Sequence, residues 1–212
     1  MLKMKQVAAA LIALSAASSV FAADDSGAYI LGAVGVSNVA IDKASIDDDL
    51  TAVGVTGLVS TTDERDTGYK LQLGYKLNQN FAIEGGYVDL GEFTFDATFT
   101  GGIAKETAKA SGWNIVAMGI LPLGDTYSLL GRLGAIRAKV DATASATGPG
   151  GSALANVNAT QNSFTYGLGV AYNMSKSTSI RVDYDRYSKL GDKNSTGEGD
   201  VDLYSLAVGY KF

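Results

Sequence analysis

Two of the side chains that most often carry catalysis are absent, for the chain contains neither His nor Cys. That removes Ser-His and Cys-His nucleophile pairs, imidazole or thiolate metal sites, and disulfides. Asp47-Asp48-Asp49 offers three adjacent carboxylates, but no EF-hand spacing follows, so a solvated acidic loop is the better reading. Gly148-Pro149-Gly150-Gly151-Ser152 lacks the Lys and the strand-to-helix setting of a phosphate cradle. Gly167-Leu168-Gly169 lacks a third glycine and lies inside a strand, where it saves space. No catalytic residue, metal site or cofactor is therefore expected. The side chains that remain of interest are charges set into apolar strands: Lys70, Glu84, Arg132, Arg181 and Asp183.

The elements that position them begin after residue 22. Lys3 and Lys5, the apolar run from Val7 to Ala17, and Val20-Phe21-Ala22 have the form of an export leader cleaved after Ala22. Cleavage one residue later would put bulky Phe21 where the peptidase wants a small residue. The expected division is therefore 1–22 as signal peptide and 23–212 as one domain. Loss of the two lysines takes the formal charge from −5 to −7, and a chain this acidic lacks the basic face of a nucleic-acid binder. The apolar run is too short for a spanning helix, and export without cysteine points to a bacterial envelope.

The mature part has period two. Tyr69, Leu71, Leu73, Tyr75 and Leu77 alternate with Lys70, Gln72, Gly74 and Lys76. Phe164 to Met174 and Leu203 to Phe212 repeat the pattern, and weaker matches at 28–36, 81–89, 113–121, 127–137 and 180–187 bring the count to eight strands. In the first of these both faces are apolar or small, so the alternation does not say which side faces out. Asn78-Gln79-Asn80, Pro122-Leu123-Gly124-Asp125 and Ser175-Lys176-Ser177 are hairpin turns. The segments 38–66, 90–110, 140–162 and 188–200 are long and rich in small polar residues, with no fixed fold assigned to them.

Which face is apolar decides between a soluble and a membrane barrel. One face is Tyr, Leu and Val throughout, while the other carries either charges or Gly and Ala, such as Gly167, Gly169, Ala171, Ala207 and Gly209. The small residues would make a thin core for a soluble protein. In the lumen of a narrow barrel they leave room for Lys70, Glu84, Arg132, Arg181 and Asp183. Aromatics gather at both strand ends, with Tyr75, Phe81, Tyr127, Tyr172 and Phe212 near the short turns and Tyr69, Tyr87, Trp113, Phe164, Tyr184 and Tyr204 near the long loops, as two interfacial girdles would require. The fold class is thus all-β: an eight-stranded antiparallel up-and-down transmembrane β-barrel.

Several segments also resemble the small eight-stranded OmpA-type outer-membrane barrels, over essentially the whole mature chain. Ser205 to Phe212 is similar to that family's last strand, Ile83 to Gly91 to its third, Gly131 to Gly134 to its fifth and Ile180 to Tyr184 to its seventh. The resemblance implies a luminal charged cluster at Glu84, Arg132, Arg181 and Asp183. It also implies a C-terminal signal, Tyr210 and Phe212, read by the barrel-assembly machinery; Ala207 stands where that signal often has Gly. The family's luminal Lys on its fourth strand is Met118 here. The resemblance also puts these residues at equivalent heights, and with the inward alternation this makes Arg181 the expected partner of Glu84, with Arg132 second.

The expected role is a structural or interaction protein of the bacterial outer membrane, in contact with lipid and lipopolysaccharide and displaying four loops to extracellular ligands. The alternative is a narrow channel for ions or small solutes. Eight strands leave an interior just wide enough for side chains to fill, which favours the first.

Overall fold

The computed structural model describes residues 26–212 except 42, 53 and 194; the leader expected at 1–22 lies outside the described residues. Nine strands and one helix follow in the order β1 (Gly27–Val39), α1 (Lys43–Ala52), β2 (Val59–Asp63), β3 (Arg65–Lys76), β4 (Phe81–Phe99), β5 (Gly102–Leu123), β6 (Tyr127–Gly148), β7 (Gly151–Asn173), β8 (Thr178–Asp192) and β9 (Gly197–Lys211). All pairings are antiparallel. β1 pairs with both β3 and β9, and β4 with both β3 and β5, so eight strands close a ring of order β4-β3-β1-β9-β8-β7-β6-β5. β2 is an addition, laid on the outer end of β4. Over the central span closure leaves no unpaired edge, as a sheet crossing lipid requires.

The two-residue period sets the two faces. Tyr69, Leu71, Trp113, Ile115, Leu133, Leu168, Val182, Leu206 and Val208 are exposed on the outer wall, whereas Lys70, Gln72, Glu84, Val116, Arg132, Thr165, Asp183 and Ser205 are buried inside. Exposed apolar side chains in this number need an apolar solvent, and the hydrocarbon of a membrane supplies it. At the outer level Tyr87 packs on Trp113 at 5.5 Å between ring centroids, and Tyr184 on Tyr204 at 5.1 Å; at the opposite level Tyr127 meets Tyr172 at 5.4 Å. Phe164 and Tyr172 mark the two levels on β7. Their spacing is about 26 Å along the strand and about 20 Å along the axis of a tilted barrel, close to the height of an apolar band.

Short turns hold one end. The Asn78 side chain accepts hydrogen bonds from the amides of Asn80 and Phe81 at 2.8 and 3.0 Å. Ser175 Oγ does the same for Ser177 and Thr178 at 3.2 and 3.0 Å, so each polar residue closes its own turn. The middle turn is shorter than the sequence suggests, because Pro122 and Leu123 belong to β5.

The long segments differ from expectation. Instead of loops without fixed fold, 90–110 and 140–162 continue the ladders as hairpins, β4 pairing β5 up to Phe99–Gly102 and β6 pairing β7 up to Gly148–Gly151. The segment 188–200 ends the β8–β9 hairpin, and 38–66 holds α1 and β2. Turn-forming composition concealed this. Once the register is set within the membrane, each further pair extends a ladder already begun, and the interspersed Thr and Val favour extended backbone. One-residue bulges interrupt β4 between Asp89 and Glu92 and β8 between Tyr187 and Leu190. Gly91, at φ 82°, forms the first. A side chain there would strike the Asp66 carboxylate, which accepts the Glu92 amide at 2.6 Å.

Candidate functional site: a charge cluster across the lumen

The five charged residues expected inside come together there. The Arg181 guanidinium donates to Glu84 Oε1 at 2.5 Å and to Asp183 Oδ2 at 3.2 Å. Arg132 lies 2.8 Å from Asp183 Oδ2 and 3.1 Å from Asp185 Oδ1. Lys70 Nζ lies 2.5 Å from Asp185 Oδ2 and 3.5 Å from Asp183 Oδ2. Tyr29 completes the set by donating its hydroxyl to Glu84 Oε1 at 2.7 Å. Asp183 is thus the hub, held by three cations. Three acids (Glu84, Asp183, Asp185) face three bases (Lys70, Arg132, Arg181), and all six are buried. Charges stripped of water are tolerated only when paired, and here each charge has an opposite partner with none in surplus, while Asp183 Oδ1 and the Nε atoms of Arg132 and Arg181 find no hydrogen-bond partner among the described residues.

Glycine makes the arrangement possible. On β7, Gly167 lies opposite Arg132 of β6 and opposite Asp185 of β8, and Gly169 opposite Asp183. A Cβ on Gly167 would sit 2.3 Å from Asp185 Oδ1, and one on Gly169 equally close to Asp183 Oδ1. Bare backbone on the strand between them is what lets Arg132 reach the carboxylates. Gly74 serves Tyr29 in the same way, since a Cβ there would enter the phenol ring.

The partners differ in part from those read in the sequence. Glu84 is bonded to Arg181, but Arg132, expected as its second choice, goes to Asp183 and Asp185. Asp185 and Tyr29 were not anticipated. Asp185 follows Asp183 by one strand period and shares its face, so the alternation could have found it. Tyr29 lies on β1, where both faces are apolar or small and no pattern marks the inner one. Met118 packs on Ala82, Leu130 and Ala171. Below it the lumen opens into a cavity of about 760 Å³ toward the short turns.

A second layer closes the lumen on the other side of the charges. Val88, Leu90, Ile136, Tyr187 and Leu203 form a buried apolar cluster with essentially no accessible surface. Only small-residue filling and charges were expected in the lumen. Val88 and Leu90 alternate in phase with Glu84, Ile136 with Arg132, and Leu203 with Ser205 and Ala207, but their apolar neighbours at 87 and 204 mask the change of face. Tyr210 and Phe212 lie outside the barrel at its inner end, with ring centroids 5.6 Å apart and the Phe212 amide bonded to the Ala28 carbonyl at 3.0 Å.

Asp47, from the acidic triplet, is engaged elsewhere. Its carboxylate binds Lys43 and Ser60, both at 2.5 Å, tying α1 to β2. The Lys43 ammonium, and after it the Ser60 hydroxyl, holds this carboxyl below the usual carboxylate range. Among the described residues no group of acidic side chains converges to hold a metal.

Comparison with known proteins places this architecture. The chain is 31% identical over 141 residues to outer membrane protein A of Serratia marcescens, an alignment covering 66% of this chain and 38% of that one. It is 29% identical over 152 residues to outer membrane protein A of Shigella flexneri, covering 71% and 42%. The chain therefore spans about two fifths of these relatives. Among solved structures, the attachment invasion locus protein of Yersinia pestis, in complex with the heparin analogue sucrose octasulfate, is similar with a TM-score of 0.49 and 17% identity, over 89% of this chain and 99% of that one. The family described as outer membrane protein beta-barrel domain matches residues 7–212, and the chain belongs to that family.

Proposed function

We propose that this protein is a sealed barrel of the bacterial outer membrane with a structural and interaction role, holding long hairpins outside the cell rather than passing solutes. The observation that carries this reading is the double closure of the lumen, by the charge network around Asp183 and by the apolar layer around Ile136 and Leu203. A solute would have to break a neutral ion-pair network and then cross a dry layer, two unlike barriers in series. The absence of His and Cys supports a non-catalytic role. Liposomes carrying the folded barrel should not swell in isotonic arabinose, while an open porin reconstituted at the same density should give rapid swelling. Swelling at the porin's rate would return the narrow-channel reading.

The same reading includes a leader removed after Ala22, a lipid and lipopolysaccharide environment at the wall, and hairpins presented to extracellular ligands. It also assigns Tyr210 and Phe212 as the address read by the barrel-assembly machinery, supported by their exposure on the terminal strand. Deleting Phe212 should leave unfolded chains in the periplasm. Normal amounts of heat-modifiable barrel in the outer membrane would remove that assignment.

A further inference from the structure

At its outer side the apolar cluster, which also includes Phe93, Val140, Leu190 and Val201, does not fill the barrel. A cavity of about 270 Å³ remains between the walls, lined by Phe93, Phe95, Val140, Leu190 and Val201, with Ile46 of α1 at its edge. Its space arises from small side chains, since Phe93 is paired across the ladder with Ala108, where a larger residue would fill the gap. Two carboxylates belong to this lining, Glu106 and Glu198. Both lie toward the outer ends of their strands, with Phe93, Val140 and Val201 deeper in the barrel. Glu106 is directly opposite Phe95 in the β4–β5 ladder. Among the described residues Glu106 has no cationic partner, and Glu198 has only a 3.8 Å approach from the exposed Lys193.

Two aromatic rings beside an unpaired carboxylate form a recognisable chemistry. An ammonium is attracted both by the negative ring face and by the carboxylate, whereas an anion is repelled by each. The apolar floor rewards a hydrocarbon body, and the volume limits that body to roughly the size of a small drug fragment. We propose that this cavity is a binding site, open to the cell exterior, for a small organic ammonium with an apolar body. The site is separate from the charge network and does not depend on whether the lumen conducts.

The test uses the full chain in lipid nanodiscs and calorimetric titration with three probes of one skeleton, 4-phenylbutylamine, 4-phenylbutanol and 4-phenylbutyrate, each corrected for partition into empty nanodiscs. The amine should bind saturably at one site per barrel, at least fivefold more tightly than the alcohol, with the carboxylate weaker still. Glu106→Gln should bring the amine to the affinity of the alcohol, and Ala108→Trp, which fills the cavity, should abolish saturable binding of all three. If Ala108→Trp does not fold, methyl shifts of Val140, Leu190 and Val201 in the unaltered protein locate the amine instead. Equal binding of amine and alcohol, tighter binding of the carboxylate, no saturable binding of the amine, or binding that leaves those methyl groups unmoved would each overturn the proposal.

Discussion

Arg181→Met asks what the luminal network is worth. The substitution leaves Glu84 with the Tyr29 hydroxyl at 2.7 Å and no cation, since Lys70 and Arg132 are bonded to Asp183 and Asp185. Asp183 keeps Arg132 at 2.8 Å and Lys70 at 3.5 Å, so the loss falls on Glu84. Orphaning a buried charge costs roughly 3 to 5 kcal/mol. A carboxylate has an escape, however, in binding a proton. From an ordinary Glu value that costs about 3.7 kcal/mol at pH 7 and about 1 kcal/mol at pH 5, which caps the cost of stranding the charge at each pH, in addition to the hydrogen bond lost with Arg181. The folded variant then holds a proton that its unfolded chain lacks, so its stability relative to the unaltered protein rises as pH falls.

Glu84→Gln is the control, because Arg181 retains Asp183 at 3.2 Å. Its penalty should be roughly 1.5 to 3 kcal/mol and nearly the same at both pH values, as a charged hydrogen bond is lost but no carboxylate is stranded. In the double variant the two costs should fall short of their sum. Trp113 is the sole tryptophan and stands on the outer wall, so its fluorescence in urea titrations of vesicle-embedded barrel reports unfolding from lipid. An Arg181→Met penalty that does not shrink between pH 7 and pH 5, or strict additivity with Glu84→Gln, would refute the reasoning.

Leu206→Arg should cost roughly 2 to 4 kcal/mol in the same titration, because Leu206 faces lipid where neither water nor a partner solvates the charge; a cost like that of a surface substitution would place this face in water. Gly169→Ala should cost roughly 1 to 3 kcal/mol by pushing Asp183 aside, while Gly131→Ala, which meets nothing within 4 Å, should stay within about 0.5 kcal/mol. The Asp47 tether should be complete above the ordinary Asp value near pH 4 and fail as pH falls through the lower folded-state value. Amide exchange in α1, corrected for its intrinsic pH dependence, should therefore lose protection only in acid; unchanged protection there would mean the tether is idle.

The membrane barrel was legible because alternation is a strong signal wherever the two faces differ in kind. Tyr69, Leu71 and Leu73 against Lys70 and Gln72 leave no doubt about which set meets lipid. On β1 the same signal fails, and Tyr29 was missed for that reason. The glycines at 167 and 169 were read as saving space, and the space proves to be that of Asp185 and Asp183. Which cation each acid takes was less accessible. It depends on how far Arg132 reaches across a strand without side chains, a distance set by the register between β6, β7 and β8. The hairpins beyond the membrane were hidden by composition, because Gly, Ser and Ala read as loop when the ladder that extends them is not yet known.

Double closure of the lumen is tested most directly by ion conductance of the unaltered protein in planar bilayers, the smallest probe being the most stringent. Two barriers in series predict no steady conductance above the bare membrane, and also none in the Glu84→Gln variant, whose apolar layer around Leu90, Ile136 and Leu203 is untouched. Stable, ohmic channel openings from purified barrel at neutral pH would contradict the account.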